Sequence, residues 1–217
     1  MSEAETEKQL AAEAAAELIE SGMTVGLGTG STVAHLLPAI ARRGIGGIRC
    51  VATSVATEEQ ARRLGVPVEE FSTLERLDIA IDGTDEVTPE GWLIKGGGGA
   101  HLREKVVAAA AERFVVIADS SKPVDALGGP VPLELFAFGI ASTLARLGSD
   151  VALRDVPPSP DGGLIADYRG PGLDDPAALA ARLEADPGVA AHGLFGPDMV
   201  SEVLVGAEGT VRRLTPS

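Results

Sequence analysis

The sequence predicts an α/β fold, a mostly parallel sheet with helices on both faces, joined to a small α+β domain. Short apolar stretches alternate with helical stretches over residues 5–119, which is the pattern of strand–helix–strand units. The stretch "LDIAIDG" (77–83) is almost wholly apolar, as expected for a strand buried on both faces. Glycines and prolines at 128–132 then interrupt the pattern and indicate a domain boundary. Together these features favour a Rossmann-like main domain.

The first part of the chain alternates regularly between the two element types. Residues 5–20 place Leu10, Ala14 and Leu18 at helical spacing. Ser31 or Thr32 is a natural N-cap for the second helix, which Pro38 is expected to kink. The predicted helices are 5–20, 32–43, 57–65 and 103–113, and the predicted strands are 23–28, 48–53, 66–71, 77–83, 92–95 and 114–119.

The second part predicts a smaller domain and a closing hairpin. Two helices and about three strands are expected there: helices 136–147 and 176–186, and strands 151–154, 164–169 and 188–195. The tail 202–214 is typical of a hairpin with a glycine-bearing turn, which would rejoin the main sheet. We therefore predict a main α/β domain formed by 1–129 and 203–217, and a small α+β domain formed by 130–202.

Composition excludes several classes of partner. The formal net charge of −14 argues against a nucleic acid or an anionic membrane surface. No apolar run approaches the ~20 residues of a membrane span. Cys50, the only cysteine, lies in a predicted buried strand and is expected to be a core thiol. The polar, acidic N-terminus differs from a secretory signal, so we expect a soluble, cytoplasmic protein.

Polar motifs follow four of the predicted strands, and the carboxyl ends of parallel strands form the edge where ligands bind. The first motif is "GLGTGST" (26–32). Its glycines and the start of the next helix offer backbone N–H groups to an anion, and its three hydroxyls suit phosphate oxygens. The spacing differs from the dinucleotide pattern and no Walker lysine follows, so a tight, well-capped turn is the alternative.

Two further motifs bring carboxylates and a cation together. "DGTDEV" (82–87) carries Asp82 and Asp85, a pairing that suits proton transfer between sugar hydroxyls, with a solvated turn as the alternative. In "IKGGGGAHLREK" (94–105), Lys95 and Glu104 flank a glycine run. A base and a cation beside bare N–H groups would serve proton abstraction next to a carbonyl, because the enediolate charge would be held there. Alternatively, Glu104 is only a charge at a helix N-terminus.

The fourth motif is "ADSSK" (118–122), whose alternative is a polar turn. Lys122 matters because an anionic substrate that approaches a protein of charge −14 needs local positive potential. His35, His101 and His192 are far apart and none has a familiar metal spacing, so we expect no metal.

In their order and approximate spacing, "GTGST", "DGTDE", "KGGGGA", "LREK" and "DSSK" resemble the type A ribose-5-phosphate isomerases. Weaker likeness in "GGPVPLEL", "DPGVAAHGLF" and the final hairpin extends the resemblance over essentially the whole chain, and it is strongest over 24–135. The chain departs from the family pattern at Thr84, where alanine is frequent, and in the atypical segment "LGSDVALRDVPPSPDGG".

The resemblance implies an enzyme without metal or cofactor that interconverts ribose 5-phosphate and ribulose 5-phosphate, usually as a homodimer or homotetramer. Glu104 would be the base at carbon 2, and Asp82, Asp85 and Lys95 would assist ring opening and carry hydroxyl protons. The implied substrate-binding residues are Thr29, Gly30, Ser31, Thr32, Gly83, Thr84, Gly96, Gly97, Gly98 and Lys122. Lys122 and the threonine loop would take the phosphate. For His101 we expect an ancillary or solvent-facing role.

Rival classes share parts of this pattern. Sugar-phosphate sensor domains of some repressors are binding modules, but they have no need for Glu104 beside a glycine run. A deaminase of related fold would use an active-site histidine, and a coenzyme A transferase a glutamate nucleophile in a longer chain. A catalytically dead relative is a further alternative, although every motif residue is present.

Overall fold

The computed structural model describes residues 2–216. Its helices are α1 (Glu3–Ala16), α2 (Val33–Arg43), α3 (Val55–Arg63), α4 (His101–Ala109), α5 (Ile140–Leu147) and α6 (Pro176–Glu184), with a 3₁₀ turn at Pro197–Met199. Its strands are β1 (Thr24–Leu27), β2 (Arg49–Ala52), β3 (Leu77–Gly83), β4 (Glu86–Val87), β5 (Leu93–Ile94), β6 (Ala111–Asp119), β7 (Val131–Leu135), β8 (Val151–Leu153), β9 (Leu164–Tyr168), β10 (Val189–His192), β11 (Leu194–Phe195), β12 (Glu202–Ala207) and β13 (Thr210–Leu214).

The largest sheet has the strand order β13-β12-β6-β3-β1-β2 and is parallel except for the edge strand β13. Successive side chains of its strands enter two separate cores. Ile79 and Ile81 join the cluster packed with α1 and α2, whereas Ala80 joins the one packed with α4. Because both faces are covered, the central strands β1, β3 and β6 are mostly apolar where they are buried. The predicted α/β fold class is confirmed, and the terminal hairpin rejoins this sheet.

Because β1, β3 and β6 pair in parallel, their carboxyl ends lie at the same edge of the sheet. β1 ends at Leu27, β3 at Gly83 and β6 at Asp119, and all three run in the same direction. The loops that follow them carry three of the four polar motifs. Their meeting at one place is therefore a consequence of sheet direction.

Two smaller antiparallel sheets complete the fold. The first, β10-β7-β9-β8, packs against α5 and α6 through a core that contains Leu133, Tyr168 and Leu179. The second, β11-β5-β4, joins the two parts of the chain. Lys95 follows β5 and so belongs to this small sheet, not to the parallel sheet on whose edge the sequence placed it.

Several predicted elements have different boundaries in the structure. The helix predicted at 103–113 is α4 and ends at Ala109, because Ala111–Arg113 pair with β3 as part of β6. Pairing with a central strand outweighs the helix propensity of the alanine run. The strand predicted at 66–71 reduces to one bridge between Val68 and Cys50. Cys50 itself is buried, as predicted, and burial raises the pKa of its thiol to about 12.

The small domain shows the largest differences. The sequence predicted a domain boundary at 128–132 and no strand next to it, but Val131–Leu135 form β7, the second strand of a sheet. Pro132 is tolerated there because β10 pairs only with Leu133–Leu135. The helix predicted from residue 136 begins at Ile140, after Gly139 in the left-handed region. The single strand predicted at 188–195 is two strands, β10 and β11, in different sheets.

Thr32 holds the N-cap position of α2, but its backbone is helical and its side chain caps no N–H group. The expected capping interaction is therefore absent. Among residues 2–216, no helix combines the length and the apolar character needed to cross a bilayer.

Candidate active site

The first part of the site is a close contact between the loop after β1 and the end of β3. Asp82 Oδ1 accepts hydrogen bonds from the backbone N–H groups of Thr29 (3.0 Å) and Gly83 (2.7 Å). A Cβ atom on Gly28 would lie 1.9 Å from that same carboxylate oxygen. Glycine at 28 is thus required by the approach of the Asp82 side chain, and the "GLGTG" and "DGTDE" motifs form one structure.

Lys95 lies at the centre of the site and is only 2% exposed. Its Nζ is 2.9 Å from Asp82 Oδ2 and 3.2 Å from Glu104 Oε2, and it donates a hydrogen bond to the Gly83 carbonyl oxygen. The ring centroid of Phe195, from β11, is 5.5 Å from the same ammonium group. One buried cation therefore holds two buried carboxylates, which gives this cluster a net negative charge when all three groups are ionised.

Burial and mutual repulsion shift the two carboxylates towards their neutral forms. Burial, and then the charge of Asp82, raise the pKa of Glu104 to about 7, although Lys95 opposes the shift. Burial also raises the pKa of Asp82. For Lys95, burial alone would lower the pKa, but the charges of Asp82 and Glu104 outweigh it and the pKa is raised. Lys95 therefore stays positively charged, and Glu104 titrates near neutrality.

Glu104 has a buried carboxylate oxygen with no hydrogen bond. This Oε2 lies 3.2 Å from the Lys95 ammonium group and has no hydrogen-bonded partner among residues 2–216. A buried carboxylate oxygen without a hydrogen bond lowers the stability of the fold, and a catalytic role is one explanation for such a group. A lone pair in this position is what a general base needs.

The glycine stretch bends around Asp85. The Gly97 N–H group donates to Asp85 Oδ2 at 2.8 Å. Gly96 has φ +100°, and a Cβ there would lie 2.6 Å from the ring of His101. A side chain at Gly96 would therefore both strain the backbone and collide with α4.

The threonine loop and Lys122 form another part of the site. Thr29 Oγ1 is 2.8 Å from Thr53 Oγ1, and Gly30 has φ +121°. Among the described residues, the backbone N–H groups of Ser31 and Thr32 have no hydrogen-bond partner, as expected at the start of α2. Lys122 follows the turn after β6, where its N–H group donates to the Asp119 carbonyl.

These parts enclose a single cavity. It is lined by Thr29, Gly30, Ser31, Thr32, Gly83, Thr84, Asp85, Lys95, Gly96, Gly97, Gly98, Glu104 and Lys122. Every predicted site residue is on this wall except Asp82, which lies beneath it and contacts Lys95. The hydroxyl of Thr84 is turned away towards the carbonyl oxygens of Glu86 and Ile94, so only its backbone faces the cavity wall.

Comparison with known proteins identifies the family. The family model of ribose 5-phosphate isomerase A (phosphoriboisomerase A) matches residues 49–210. A ribose-5-phosphate isomerase A of Caulobacter vibrioides is 47% identical over 226 residues, which cover 98% of this chain and 99% of that protein. The chain belongs to the ribose 5-phosphate isomerase A family. The resemblance inferred from the motifs is confirmed, as is the interpretation of the chain as an enzyme.

Solved structures of ribose 5-phosphate isomerases share the whole architecture. The Neisseria gonorrhoeae isomerase A superposes with a TM-score of 0.92 at 34% identity, covering 97% of this chain and 96% of that one. A D-ribose-5-phosphate isomerase in complex with phospho-erythronic acid has a TM-score of 0.91 at 33% identity, covering 99% of this chain and 100% of that one. These matches do not favour the sensor-domain alternative.

Sequence reasoning placed His101 towards solvent or in an ancillary role, and the solvent part of that expectation is wrong. The His101 side chain is 0% exposed, and neither ring nitrogen has a hydrogen-bond partner among residues 2–216. Burial, and then the nearby positive charges of Lys105 and Arg154, lower its pKa to about 3. His101 is therefore a neutral, packed side chain below the glycine stretch.

One contact with the site was missed by sequence reasoning. Arg154, at the end of β8, donates hydrogen bonds to the carbonyl oxygens of Gly96 and Gly97. Arg154 is 58 and 57 positions from Gly96 and Gly97, and it lies in a segment that had only been noted as atypical.

Within residues 2–216, no group of three or more His, Cys, Asp or Glu side chains could hold a metal ion.

Proposed function

We propose that the chain interconverts D-ribose 5-phosphate and D-ribulose 5-phosphate through a cis-enediolate, as a step of the non-oxidative pentose phosphate pathway. The observation that carries the proposal is the environment of Glu104. Its Oε2 is buried, free of hydrogen bonds and 3.2 Å from the ammonium group of Lys95. With a pKa of about 7, the group is ionised often enough at neutral pH, yet basic enough to accept a carbon-bound proton.

The proposed chemistry moves two protons. Glu104 takes the proton from carbon 2 of the open-chain aldose, the C–H electron pair forms the double bond to carbon 1, and the carbonyl electron pair moves onto oxygen 1. Glu104 then returns the proton to carbon 1, while the hydroxyl proton of oxygen 2 is passed to oxygen 1. A single base serves both carbons because they are adjacent and present the same face of the cis-enediolate.

Lys95 and the glycine stretch would stabilise the enediolate. Lys95 is fixed by Asp82 and the Gly83 carbonyl before substrate binds, so little reorganisation is needed when negative charge develops. Asp85 at the cavity wall, together with Asp82 and Lys95, would carry the hydroxyl protons and assist ring opening. The proposal therefore assigns catalytic roles to Glu104, Asp82, Asp85 and Lys95.

The phosphate would bind at the other end of the cavity. The threonine loop supplies unbonded N–H groups at the start of α2, which attract an anion through the helix dipole. Lys122 adds a positive charge on the same wall. These residues, with Gly83, Thr84 and Gly96–Gly98, form the proposed substrate-binding surface.

We also propose the division of the chain at 129/130 and 202/203 and its assembly into a homodimer or homotetramer. The sheet β10-β7-β9-β8 lies wholly within 130–202. Phe136 and Phe138, in the loop after β7, are 53% and 96% exposed, and exposed aromatic side chains are enriched at protein interfaces.

A cytoplasmic location is proposed as well, in keeping with a single thiol that is buried.

Isomerisation of ribose 5-phosphate by the purified protein in D₂O, with excess chelator, tests the proposal. Exchange of the proton on Glu104 with solvent, before it is returned, should place deuterium at carbon 1 of ribulose 5-phosphate. Sugar-phosphate binding without turnover would support the sensor alternative instead. Turnover that leaves the sugar phosphates free of carbon-bound deuterium, even after prolonged incubation at equilibrium, would contradict the enediolate route.

A further inference from the structure

We propose that Arg154 is a positioning residue that, through the glycine stretch, aims the backbone N–H group of Gly98 at the reacting oxygen of the substrate. The proposal rests on the function proposed above. It assigns to the small domain a direct part in arranging the active site.

The guanidinium group of Arg154 is held from two sides. One edge forms a fork with Asp167 on β9, with Nη2 2.6 Å from Oδ1 and Nε 3.1 Å from Oδ2. Nη1 donates to the carbonyl oxygens of Gly97 at 2.8 Å and Gly96 at 3.3 Å. The backbone N–H group of Arg154 is itself bonded to the Ile165 carbonyl at 2.8 Å. Such a planar, bidentate group has little freedom to move.

Because Arg154 fixes the carbonyl groups of Gly96 and Gly97, it also sets the direction of the N–H groups in the same two peptide planes, those of Gly97 and Gly98. In a trans peptide the C=O and N–H bonds of one plane point in opposite directions. The peptide between Gly96 and Gly97 shows this directly, because its oxygen contacts Arg154 and its N–H group donates to Asp85, on the cavity wall. The Gly97 oxygen is held by the same guanidinium, so the Gly98 N–H group is directed away from the small domain as well.

Gly98 lines the cavity, and within residues 2–216 its N–H group has no hydrogen-bond partner. A free N–H group fixed in this way can donate to oxygen as it gains negative charge, and it requires no reorganisation during the reaction. The glycine stretch has no regular secondary structure to hold it, since its only internal hydrogen bond is from Gly99 N–H to the Gly96 carbonyl, at 2.9 Å. Arg154 therefore supplies the constraint that the glycines lack.

A matched control lies in the same domain. Arg146 forms an equivalent fork with Asp186, with both hydrogen bonds at 2.8 Å, and it is bonded to no residue of the cavity. Arg146→Ala removes the same kind of ion pair without touching the glycine stretch. Asp167→Asn keeps the size of the side chain but removes its charge and one of the two acceptors of the fork, and Arg154→Lys keeps the positive charge and removes the fork.

The experiment measures kcat and KM for ribose 5-phosphate, thermal unfolding, and the affinities for 4-phospho-erythronate and for inorganic phosphate. The carboxylate of the first ligand stands for the enediolate, and the second reports only on the phosphate end. For Arg154→Ala we expect kcat to fall about 10- to 100-fold with KM within about threefold, since a donor is misaimed and not deleted. Phospho-erythronate should bind at least about tenfold more weakly, with phosphate affinity unchanged.

For Arg154→Lys and Asp167→Asn we expect smaller losses of the same pattern, which keeps the proposal testable if the alanine variant does not fold. A kcat for Arg154→Ala equal to that of Arg146→Ala would overturn the proposal. So would losses of phosphate and phospho-erythronate affinity that match each other and follow a lowered Tm, because Arg154 would then be a general anchor. If the wild type turned over no ribose 5-phosphate, the proposed function would fail, while the two affinities would still decide the role of Arg154.

Discussion

The ammonium group of Lys95 lies 3.2 Å from Glu104 Oε2 yet leaves that oxygen without a hydrogen bond. Its other contacts are with Asp82 Oδ2, at 2.9 Å, and with the carbonyl oxygen of Gly83. Lys95 thus keeps Glu104 partly ionised through its charge without occupying the lone pair that would accept a proton. This arrangement separates the electrostatic role of the lysine from the basic role of the glutamate.

Glu104→Gln should lower kcat by about a thousandfold with little change in KM, because loss of a general base usually costs 10²- to 10⁴-fold. Steady-state kinetics with ribose 5-phosphate measures this. Glu202→Gln, a paired carboxylate at the far end of the parallel sheet, is the control and should keep full activity. Near-normal turnover by Glu104→Gln would show that another group removes the proton.

The rate at limiting substrate should fall below an apparent pKa of about 7, because Glu104 must be ionised to act. Burial is the largest cause of this raised pKa and the charge of Asp82 is the next, so Asp82→Asn should move the acid limb to lower pH. The pH dependence of kcat/KM in the two proteins measures the shift. Since the two carboxylates interact, each apparent value belongs to the pair. An unmoved limb would contradict this coupling.

His101→Leu should make the protein more resistant to acid. His101 is neutral when buried, with a pKa of about 3, whereas in the unfolded chain its pKa is about 6.5, so the unfolded state binds the extra proton between these values. Stability is therefore lost as pH falls through this window, by about 2 kcal/mol at pH 5. Urea unfolding of both proteins at pH 7 and pH 5 measures the difference. Parallel losses in the two would show that His101 is not responsible.

Gly28→Ala should lower both activity and stability, because its Cβ would lie 1.9 Å from Asp82 Oδ1 and displace the carboxylate that holds Lys95. We expect a fall in kcat of about a hundredfold or more, comparable to the loss of a preorganised electrostatic contact. Gly46→Ala is the control, since a Cβ there has its nearest neighbour at 3.9 Å and no unusual backbone angle. Equal effects of the two substitutions would contradict the proposed close packing.

Lys122→Ala should raise KM about ten- to a hundredfold and change kcat little, because the lysine is proposed to bind the phosphate and not the reacting carbons. Competitive inhibition by inorganic phosphate should weaken in parallel. Arg212→Ala, on the exposed edge strand, removes one positive charge that is not part of the cavity lining and serves as the control. A large fall in kcat with unchanged KM would place Lys122 near the reacting end.

Local chemistry in the sequence was enough to predict most of the main domain. Strand–helix alternation and the almost wholly apolar stretch 77–83 predicted a parallel sheet covered on both faces, and the sheet direction then placed three motifs at one edge. Errors occurred where pairing with distant strands decided the outcome. Ala111–Arg113 have helix-forming composition but join β6, and the proline-containing Val131–Leu135 form a strand inside the small sheet.

In the site, too, some features could be predicted from local sequence and others depend on long-range contacts. The motifs, together with the family resemblance that they carry, were sufficient to select the residues that line the cavity, because each motif is a short turn whose geometry is local. Three features depend on contacts between segments far apart in the chain. The first is the buried ion cluster of Lys95 with Asp82 and Glu104. The others are the burial of His101 and the hydrogen bonds from Arg154 to the carbonyl oxygens of the glycine stretch. Burial sets pKa values and long-range contacts set orientation, and both arise only once the chain has folded.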